Sequence, residues 1–398
     1  MTTRSTPQRR VPRLHILAMA AAWAGVGAGA LAQAPAPMVV EVVGTSPLPG
    51  LGVDRDLLPY ASTVVNRQAL DRAQADTLSD HLARRLPSLQ VNDIQGSPYQ
   101  GDVTFRGHRA SGLLGAAQGL SVYLDGVRIN EPFGDVVNWD LMPGFALRSV
   151  TVVPGANPAF GLNTLGGAIA LQTASGLSAP GLRGELGFGS HGRKRLDASV
   201  GGRSDSGWHH YVAGSAFDED GWRDHSPGRL GLLFAKAGHA QGASGWDLSL
   251  LAGRSRLVGN GLVPALAIDD DETTPDLLAG NRSAVFTHPD LTRNRLLHLA
   301  LNARHALADQ LQLQALAYTR HSRRSTVNGD LADGAEPDED ENAALNTTRT
   351  RQRAAGLAAS LAGRHGAHQW QLGASLDRSR VHYRQDEQEG AFDASRGV

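Results

Sequence analysis

The stretch RNRLLHLALNARH, residues 293–305, alternates apolar and polar side chains with a period of two. Leu297, Leu299 and Leu301 fall on one side of an extended chain, whereas His298 and Asn302 fall on the other. An amphipathic helix would instead repeat its apolar residues about every 3.6 positions. The stretch therefore predicts a β-strand with one apolar face and one polar face.

The same alternation recurs along the second half of the chain, and it predicts nine strands. They lie near residues 182–190, 193–202, 208–218, 230–240, 246–254, 293–304, 310–322, 350–363 and 367–384. The second, fourth, sixth and eighth strands are followed by about four to six residues, and the third, fifth and seventh by about 11, 38 and 27. Only the short first link breaks this alternation of connection lengths. Short turns at one end and long loops at the other are typical of outer-membrane β-barrels, and a soluble β-sandwich gives no reason for them.

The N-terminus has the features of an export signal. Residues 1–32 begin with a basic stretch and continue with an apolar run that ends in Ala30-Leu31-Ala32, so we expect a cleaved signal peptide there. The 398 residues include no cysteine, which suits an exported protein and excludes disulfides and thiolate chemistry. The net charge of -1 offers no general attraction to nucleic acid or to an anionic membrane surface. No later segment can form a membrane-spanning helix, so any contact with the bilayer interior must be made by strands.

Between the signal and the alternating strands, roughly residues 38–176 predict a small α+β domain with short elements. DTLSDHLARRLP predicts a helix with Asp76 as its N-cap, and STVVN, DVTFRG, LRSVTVVPG and GGAIALQT predict strands. In VYLDGVRI, residues 122–129, the pair Asp125-Gly126 predicts a two-residue type I′ hairpin. Asp125 is thus interpreted as a structural corner and not as a catalytic carboxylate.

No pattern indicates a catalytic or metal site. The chain has no G-x-S-x-G, P-loop or H-E-x-x-H motif. The acidic runs IDDDETTPD (268–276) and DGAEPDEDEN (333–342) lack the EF-hand spacing and are expected to be solvated loops. We therefore expect no catalytic residue, no metal ligand and no cofactor, and we do not expect an enzyme.

Three signatures in order, FRGHR (105–109), VYLDGVRI and VTVVPGANPAFGLNTLGGAIALQT (150–173), resemble the plug of the TonB-dependent outer-membrane receptors. The plug-motif residues that the resemblance implies are Arg106, Gly107, Asp125, Gly126, Gly161, Gly166 and Gly167. Arg106 and Arg109 are also candidates for ion pairs between plug and barrel wall, with surface solvation as the open alternative. The fold expected is mostly β: a small α+β plug domain followed by antiparallel transmembrane β-barrel strands, with about nine present and the barrel incomplete.

The resemblance also implies a partner and a function. A short extended segment looks like the TonB box, which pairs by strand addition with the periplasmic protein TonB and its inner-membrane energising complex. Its residues are Val39, Val40, Glu41, Val42, Val43, Gly44 and Thr45, and a plain extended linker is the alternative. The implied function is energy-coupled uptake of a scarce small-molecule chelate, foremost a ferric siderophore, by a receptor set in outer-membrane lipid. Cobalamin, haem and carbohydrate remain open as ligands. A passive channel, an adhesin-like barrel and an exported sugar-processing or binding protein remain open as functions.

These expectations divide the chain into four parts. They are a signal peptide (1–32), a TonB-box segment with a linker (33–50), a plug (51–178) and the N-terminal part of a barrel (179–398). A barrel of the resembling family closes with about 22 strands. Because nine strands would leave two unpaired edges in lipid, and the chain ends at GAFDASRGV without an aromatic terminal strand, we expect an N-terminal part of a longer receptor or a truncated product.

Overall fold

The computed structural model describes most of the chain after its first 41 residues. The described residues are 42–43, 47–48, 53–54, 60–73, 77–86, 88–93, 95–259, 261, 263, 281–333, 342–393 and 395–398. The predicted signal peptide and the acidic run 268–276 lie outside them, as do residues 39–41 and 44–45 of the candidate TonB box and residues 334–341 of the second acidic run. In this described part, no helix is both long and apolar enough to cross a membrane.

Residues 42–173, which we call the N-terminal region, contain short strands and two helices among the described residues. The elements are β1 (Val42–Val43), β2 (Val53–Asp54), β3 (Thr63–Asn66), α1 (Arg67–Ala73), α2 (Leu78–Arg85), β4 (Leu89–Asn92), β5 (Asp102–Phe105), β6 (His108–Ala110), β7 (Leu120–Leu124), β8 (Val127–Arg128), β9 (Leu147–Pro154) and β10 (Gly167–Thr173). Three sheets result, in the orders β1-β2, β4-β5-β6 and β3-β9-β10-β7-β8.

The five-stranded sheet has a hydrophobic cluster on each face. Val122 and Leu124 of β7 belong to the larger cluster, whereas Tyr123, between them, packs with Val153 and Phe160 on the other side. All five residues of β7 are consequently buried, although their sequence alternates. The burial on both faces follows from the parallel pairing of β7 with β10, since parallel strands are usually covered on both sides.

The predicted hairpin is confirmed, and the predicted helix cap is wrong by one residue. Leu124 faces Val127 in the hairpin, and Asp125 and Gly126 have φ angles of 47° and 88°, as a type I′ turn requires. Helix α2 begins at Leu78, so its N-cap is Thr77, whose side chain accepts a hydrogen bond from the Asp80 amide at 3.2 Å. Asp76 is therefore not the cap, and α1, β2, β4 and β6 have no counterpart among the elements predicted from the sequence.

The second half of the chain forms one antiparallel sheet of nine strands in sequence order, which we call the large sheet. Its strands are β11 (Gly181–Phe188), β12 (Lys194–Arg203), β13 (Trp208–Glu219), β14 (Gly228–Gln241), β15 (Ser244–Val258), β16 (Asp290–Ala308), β17 (Leu311–Leu331), β18 (Ala343–His365) and β19 (His368–Gly390). All nine predicted strands are therefore confirmed, as is the alternation of short turns with longer loops. The sheet is not closed, since β11 pairs only with β12 and β19 only with β18.

Successive residues of each strand point to opposite faces of the large sheet, and these two faces have different neighbours. In β16, His298 and Ala300 are buried toward the N-terminal region, whereas Leu297, Leu299 and Leu301 are exposed on the other face. We call these the inward and the outward face. The alternation in RNRLLHLALNARH thus separates the two environments as predicted.

Gly167 provides a test of the packing in the N-terminal region. Its φ angle is 137°, and a Cβ there would lie 2.3 Å from the Val153 carbonyl oxygen, whereas a Cβ at Gly107, with φ of 83°, would meet nothing within 4 Å. We expect Gly107→Ala to cost about 1–2 kcal/mol of unfolding free energy, because only the backbone conformation is penalised. Gly167→Ala should cost at least about 3 kcal/mol, because β9 must also move.

Urea unfolding of the refolded chain in detergent micelles, followed by tryptophan fluorescence, measures both costs. Equal losses for the two variants would show that the close approach of β9 and β10 is not required.

Candidate functional site

The contact between the N-terminal region and the inward face of the large sheet contains a buried ion pair. Its centre is Asp125, at the hairpin turn. The parallel pairing of β7 with β10 brings this turn beside Thr173, whose amide and hydroxyl donate to the carboxylate at 2.9 and 2.5 Å. Lys236 of β14 completes the arrangement, with its Nζ atom 3.0 Å from Asp125 Oδ2.

The Asp125–Lys236 pair is largely removed from water, with side-chain exposures of 14% and 8%. Burial raises the pKa of Asp125, but the Lys236 charge and the two Thr173 hydrogen bonds outweigh it, so that the pKa lies below its usual value. The carboxylate is therefore ionised at neutral pH. An ion pair of this kind contributes little net stability, but removing one partner leaves an uncompensated buried charge.

A second buried carboxylate, Asp140, lies in a short 3₁₀ turn, Trp139–Leu141, and has different partners. Its Oδ2 atom accepts hydrogen bonds from Ser255 Oγ of β15 at 2.5 Å and from Asn294 Nδ2 of β16 at 2.9 Å. Burial raises the pKa of Asp140, and these hydrogen bonds and the Arg324 charge offset only part of that effect. The pKa of Asp140 is thus raised, whereas that of Asp125 is lowered.

Strand β17 contacts the N-terminal region with every second side chain. The donors and acceptors are Arg320 Nη1 to Arg128 O (3.1 Å), Arg320 Nη2 to Asn130 O (3.1 Å), Ser322 Oγ to Glu131 Oε2 (3.0 Å) and Arg324 Nη1 to Gly112 O (2.5 Å). Guanidinium groups stay charged at all relevant pH values, so these bonds to backbone carbonyls do not titrate. They are charge-assisted, which makes them stronger than neutral hydrogen bonds.

The edge of this contact is more exposed. Arg183 of β11 pairs with Asp71 of α1 at 2.6 Å, and both side chains are 38% exposed. Arg67 of α1 also approaches the Tyr211 hydroxyl, at 3.5 Å. Exposed pairs of this kind contribute about 0–1 kcal/mol, so the buried partners at the centre determine the fit.

Residues 54–168 match the family model described as the TonB-dependent receptor plug domain. The N-terminal region is a plug domain of that family. The family consists of transport receptors of the outer membrane, not of enzymes.

Solved structures extend this likeness to the large sheet. The unliganded ferric citrate transporter FecA has 16% sequence identity and a TM-score of 0.66, with coverage of 84% of this chain and 50% of that one. The closed form of the ferric-catecholate import receptor Fiu from E. coli K12 has 16% identity and a TM-score of 0.64, covering 81% and 47%. BauA, the ferric preacinetobactin receptor of Acinetobacter baumannii, has 13% identity and a TM-score of 0.67, covering 87% and 50%. The fold is therefore shared, and the chain spans about half the length of these structures.

The plug-motif residues from the sequence lie in turns and at the start of β10. Gly107, Gly126 and Gly161 have positive φ angles in tight turns. The Gly166 amide donates a hydrogen bond to the Gly119 carbonyl oxygen at 2.9 Å. Arg106 and Arg109 both contact the plug itself. The Arg106 guanidinium lies over the Phe105 ring, and Arg109 pairs with Asp102 at 3.8 Å. Their pairing with the barrel wall stays a prediction.

Lys236 is not among the site residues predicted from the sequence, although it pairs with Asp125. A signal was present in GRLGLLFAKAGH, residues 228–239, where one lysine interrupts a strand whose inward positions Leu230, Leu232 and Phe234 are apolar and buried. A lone charge at an inward position predicts a buried partner of opposite charge. The identity of that partner depends on the tertiary register, which the sequence pattern does not specify.

At the loop end, a polar pocket opens between plug and sheet. Its lining includes Leu114, Phe133, Asn138, Arg324, Thr348 and Gln352. Gln352 of β18 accepts a hydrogen bond from the Phe133 amide at 3.1 Å, and the Phe133 ring packs on Tyr383 with centroids 4.8 Å apart. Mixed apolar and hydrogen-bonding walls of this kind can bind a small polar ligand.

The buried pair predicts an asymmetric mutational response. Lys236→Met should destabilise the chain by about 3–5 kcal/mol, because it leaves Asp125 charged and buried without its counter-ion. Adding Asp125→Asn should recover most of that loss, since the amide oxygen can still accept from Thr173. Arg183→Met, at the exposed pair, is the matched control and should change stability by less than about 1 kcal/mol.

Urea unfolding in detergent micelles gives these differences as a double-mutant cycle. Additive effects of Lys236→Met and Asp125→Asn would refute an energetic coupling between the two side chains.

The raised pKa of Asp140 predicts a pH dependence of the unfolding free energy that is opposite in sign to the one from Asp125. Because the native pKa of Asp140 lies above its ordinary value of 3.8, its contribution to stability is complete below that pH and is lost as the pH rises through the native pKa. Asp140→Asn keeps an acceptor for Ser255 and Asn294 and removes the titration. We expect the variant to gain stability relative to the wild type as the pH rises above about 4.

Unfolding free energies of both proteins over that range test this expectation. A constant difference between them would mean that the pKa of Asp140 is not raised. The lowered pKa of Asp125 predicts a loss only as the pH falls below that group's ordinary value of 3.8.

Proposed function

We propose that the protein is an outer-membrane receptor that takes up a scarce metal chelate, most closely a ferric siderophore, with energy delivered through TonB. The observation that carries the proposal is the way in which the plug is held. A buried ion pair and charge-assisted bonds to backbone carbonyls join the plug to the large sheet. Moving a plug with such contacts requires work, which a passive channel has no means to obtain.

The ligand class is inferred from two features. The pocket at the loop end combines Leu114 and Phe133 with hydrogen-bonding side chains such as Asn138 and Gln352, which suits a chelate with an apolar body and polar ligand atoms. Structures with the same fold are described as a ferric citrate transporter, a ferric-catecholate import receptor and a ferric preacinetobactin receptor. Cobalamin, haem and carbohydrate are the alternative ligands.

The route to TonB is proposed to be residues 39–45. The described part of this segment, Val42–Val43, is extended and pairs in antiparallel fashion with Val53–Asp54. Strand addition to another protein uses the same backbone N–H and C=O groups. A pairing of only two residues is easily exchanged, so a partner strand that offers a longer ladder would displace β2.

A proline in this segment separates uptake from binding. Val42→Pro removes a backbone donor and disfavours strand pairing, whereas Val42→Thr keeps a β-branched residue and serves as the matched control. In iron-limited cells that express the receptor, we expect Val42→Pro to lower uptake of radiolabelled ferric chelates by about tenfold or more, with surface binding unchanged. Val42→Thr should transport normally.

The chelates to compare are ferric citrate and a ferric catecholate, with binding measured at low temperature and uptake at growth temperature. Normal uptake by Val42→Pro would refute the assignment of the TonB box. Uptake that continues after a protonophore has collapsed the proton gradient would instead favour a passive channel.

A further inference from the structure

The outward face of the large sheet changes from apolar to basic toward the loop end. In each strand from β14 to β19, at least one arginine lies on the loop side of the apolar outward residues. These arginines are Arg229, Arg254, Arg256, Arg293, Arg295, Arg323, Arg349, Arg351, Arg353, Arg378, Arg380 and Arg384. They form a band across six neighbouring strands, which we call the arginine belt.

The register of the sheet places members of the belt directly opposite one another. Arg254 faces Arg295, Arg295 faces Arg323, and Arg323 faces Arg351, so that four guanidinium groups follow one cross-strand row. Opposed residues have Cβ atoms only about 5 Å apart, and like charges in such positions repel. The row therefore raises the free energy of the sheet unless anions lie beside it.

Protein carboxylates supply few of those anions. Arg229 pairs with Asp218 at 2.6 Å, and Arg384 pairs with Asp386 at 2.7 Å. Among the residues that the structure describes, the other ten belt arginines form no ion pair. The plug cannot neutralise them, because its contacts are made by inward residues of the same strands, such as Ser255, Asn294 and Ser322.

The apolar residues below the belt fix its level relative to a membrane. Leu297, Leu299 and Leu301 are 53%, 40% and 42% exposed, and the rings of Trp208 and Trp246 lie 5.7 Å apart near the short-turn end. From Arg295 to Ala303 a strand extends about 27 Å, and the tilt of about 35–45° that strands have in membrane barrels leaves a height of about 20 Å, comparable with the apolar band of about 25 Å. The belt then lies at the height of the lipid headgroups on the loop side.

We propose that the arginine belt binds phosphorylated headgroups of the lipids in the loop-side leaflet. Guanidinium groups form bidentate bonds with phosphate, and a lipid that carries two phosphates can bridge arginines of adjacent strands and remove their repulsion. Beside the belt, Leu186, Phe188 and Leu196 line one groove together with Arg254, Arg256 and Arg293, which gives acyl chains an apolar surface next to the headgroup. This inference rests on the strands lying in the outer membrane and is independent of the transported ligand.

The test measures binding of bisphosphorylated lipid A to the refolded chain in dodecylmaltoside micelles, with fully dephosphorylated lipid A as the comparison lipid. Arg254→Gln/Arg295→Gln/Arg323→Gln should weaken binding of the phosphorylated lipid by about tenfold or more, which corresponds to about 1.4 kcal/mol. The matched control is Arg203→Gln/Arg304→Gln/Arg364→Gln, which removes the same charge from exposed arginines at the short-turn end. It should bind as the wild type does.

Two further measurements keep the proposal testable if the first variant folds poorly. Wild-type binding of the phosphorylated lipid should fall steeply between low and high salt, whereas binding of the dephosphorylated lipid should not. Arg254→Lys/Arg295→Lys/Arg323→Lys keeps the charge but cannot form bidentate bonds, so it should bind more weakly than the wild type and more tightly than the glutamine variant. Equal affinity of the wild type for both lipids, or equal losses in the belt and control variants, would overturn the proposal.

Discussion

The buried pair of Asp125 and Lys236 determines how the plug fits against the large sheet. The carboxylate is held at a fixed point, because the hairpin turn and Thr173 leave it no freedom. The ammonium group is held by the register of β14 between β13 and β15. A shift of the plug by one strand position would leave both charges buried without partners, which costs several kcal/mol. The pair therefore determines the position of the plug on the large sheet more than it stabilises the folded chain.

The other contacts of the plug depend on that position. Arg320 and Arg324 reach backbone carbonyls of the plug only while the hairpin lies against β14 and β17. Arginine does not lose its charge, and the pKa of Asp125 is lowered, so a moderate change of pH cannot release these contacts. Asp140, whose pKa is raised, is the exception and has only neutral donors. Contacts that a moderate pH change leaves intact can still be broken by an applied force on the plug. This supports the proposed coupling to TonB.

The sequence predicted those parts of the fold that depend on local pattern. Nine strands followed from the period of two, and the hairpin followed from Asp125-Gly126. The ends of the strands did not: β18 begins at Ala343, although alternation was recognised only from residue 350. In this extension Asn346, Thr347 and Thr348 pair with neighbouring strands without an apolar face, so the periodic signal is absent. The turn chemistry of Asp125 was recognised, but its charge partner lies 111 residues away on another strand.

The same alternation that defines the strands also separates the charges of the sheet into two groups. Lys236, Arg320 and Arg324 occupy inward positions and are satisfied by the plug, through a carboxylate or through carbonyl oxygens. Arginines such as Arg295 and Arg323 are at outward positions, where the protein offers no such acceptors in the described residues. Since a guanidinium group keeps its charge, it must obtain its counter-charge from its surroundings. The inward group thus depends on the plug, whereas the outward group, under the proposed lipid binding, depends on headgroups. The two groups can be altered independently by substitutions on neighbouring residues of one strand.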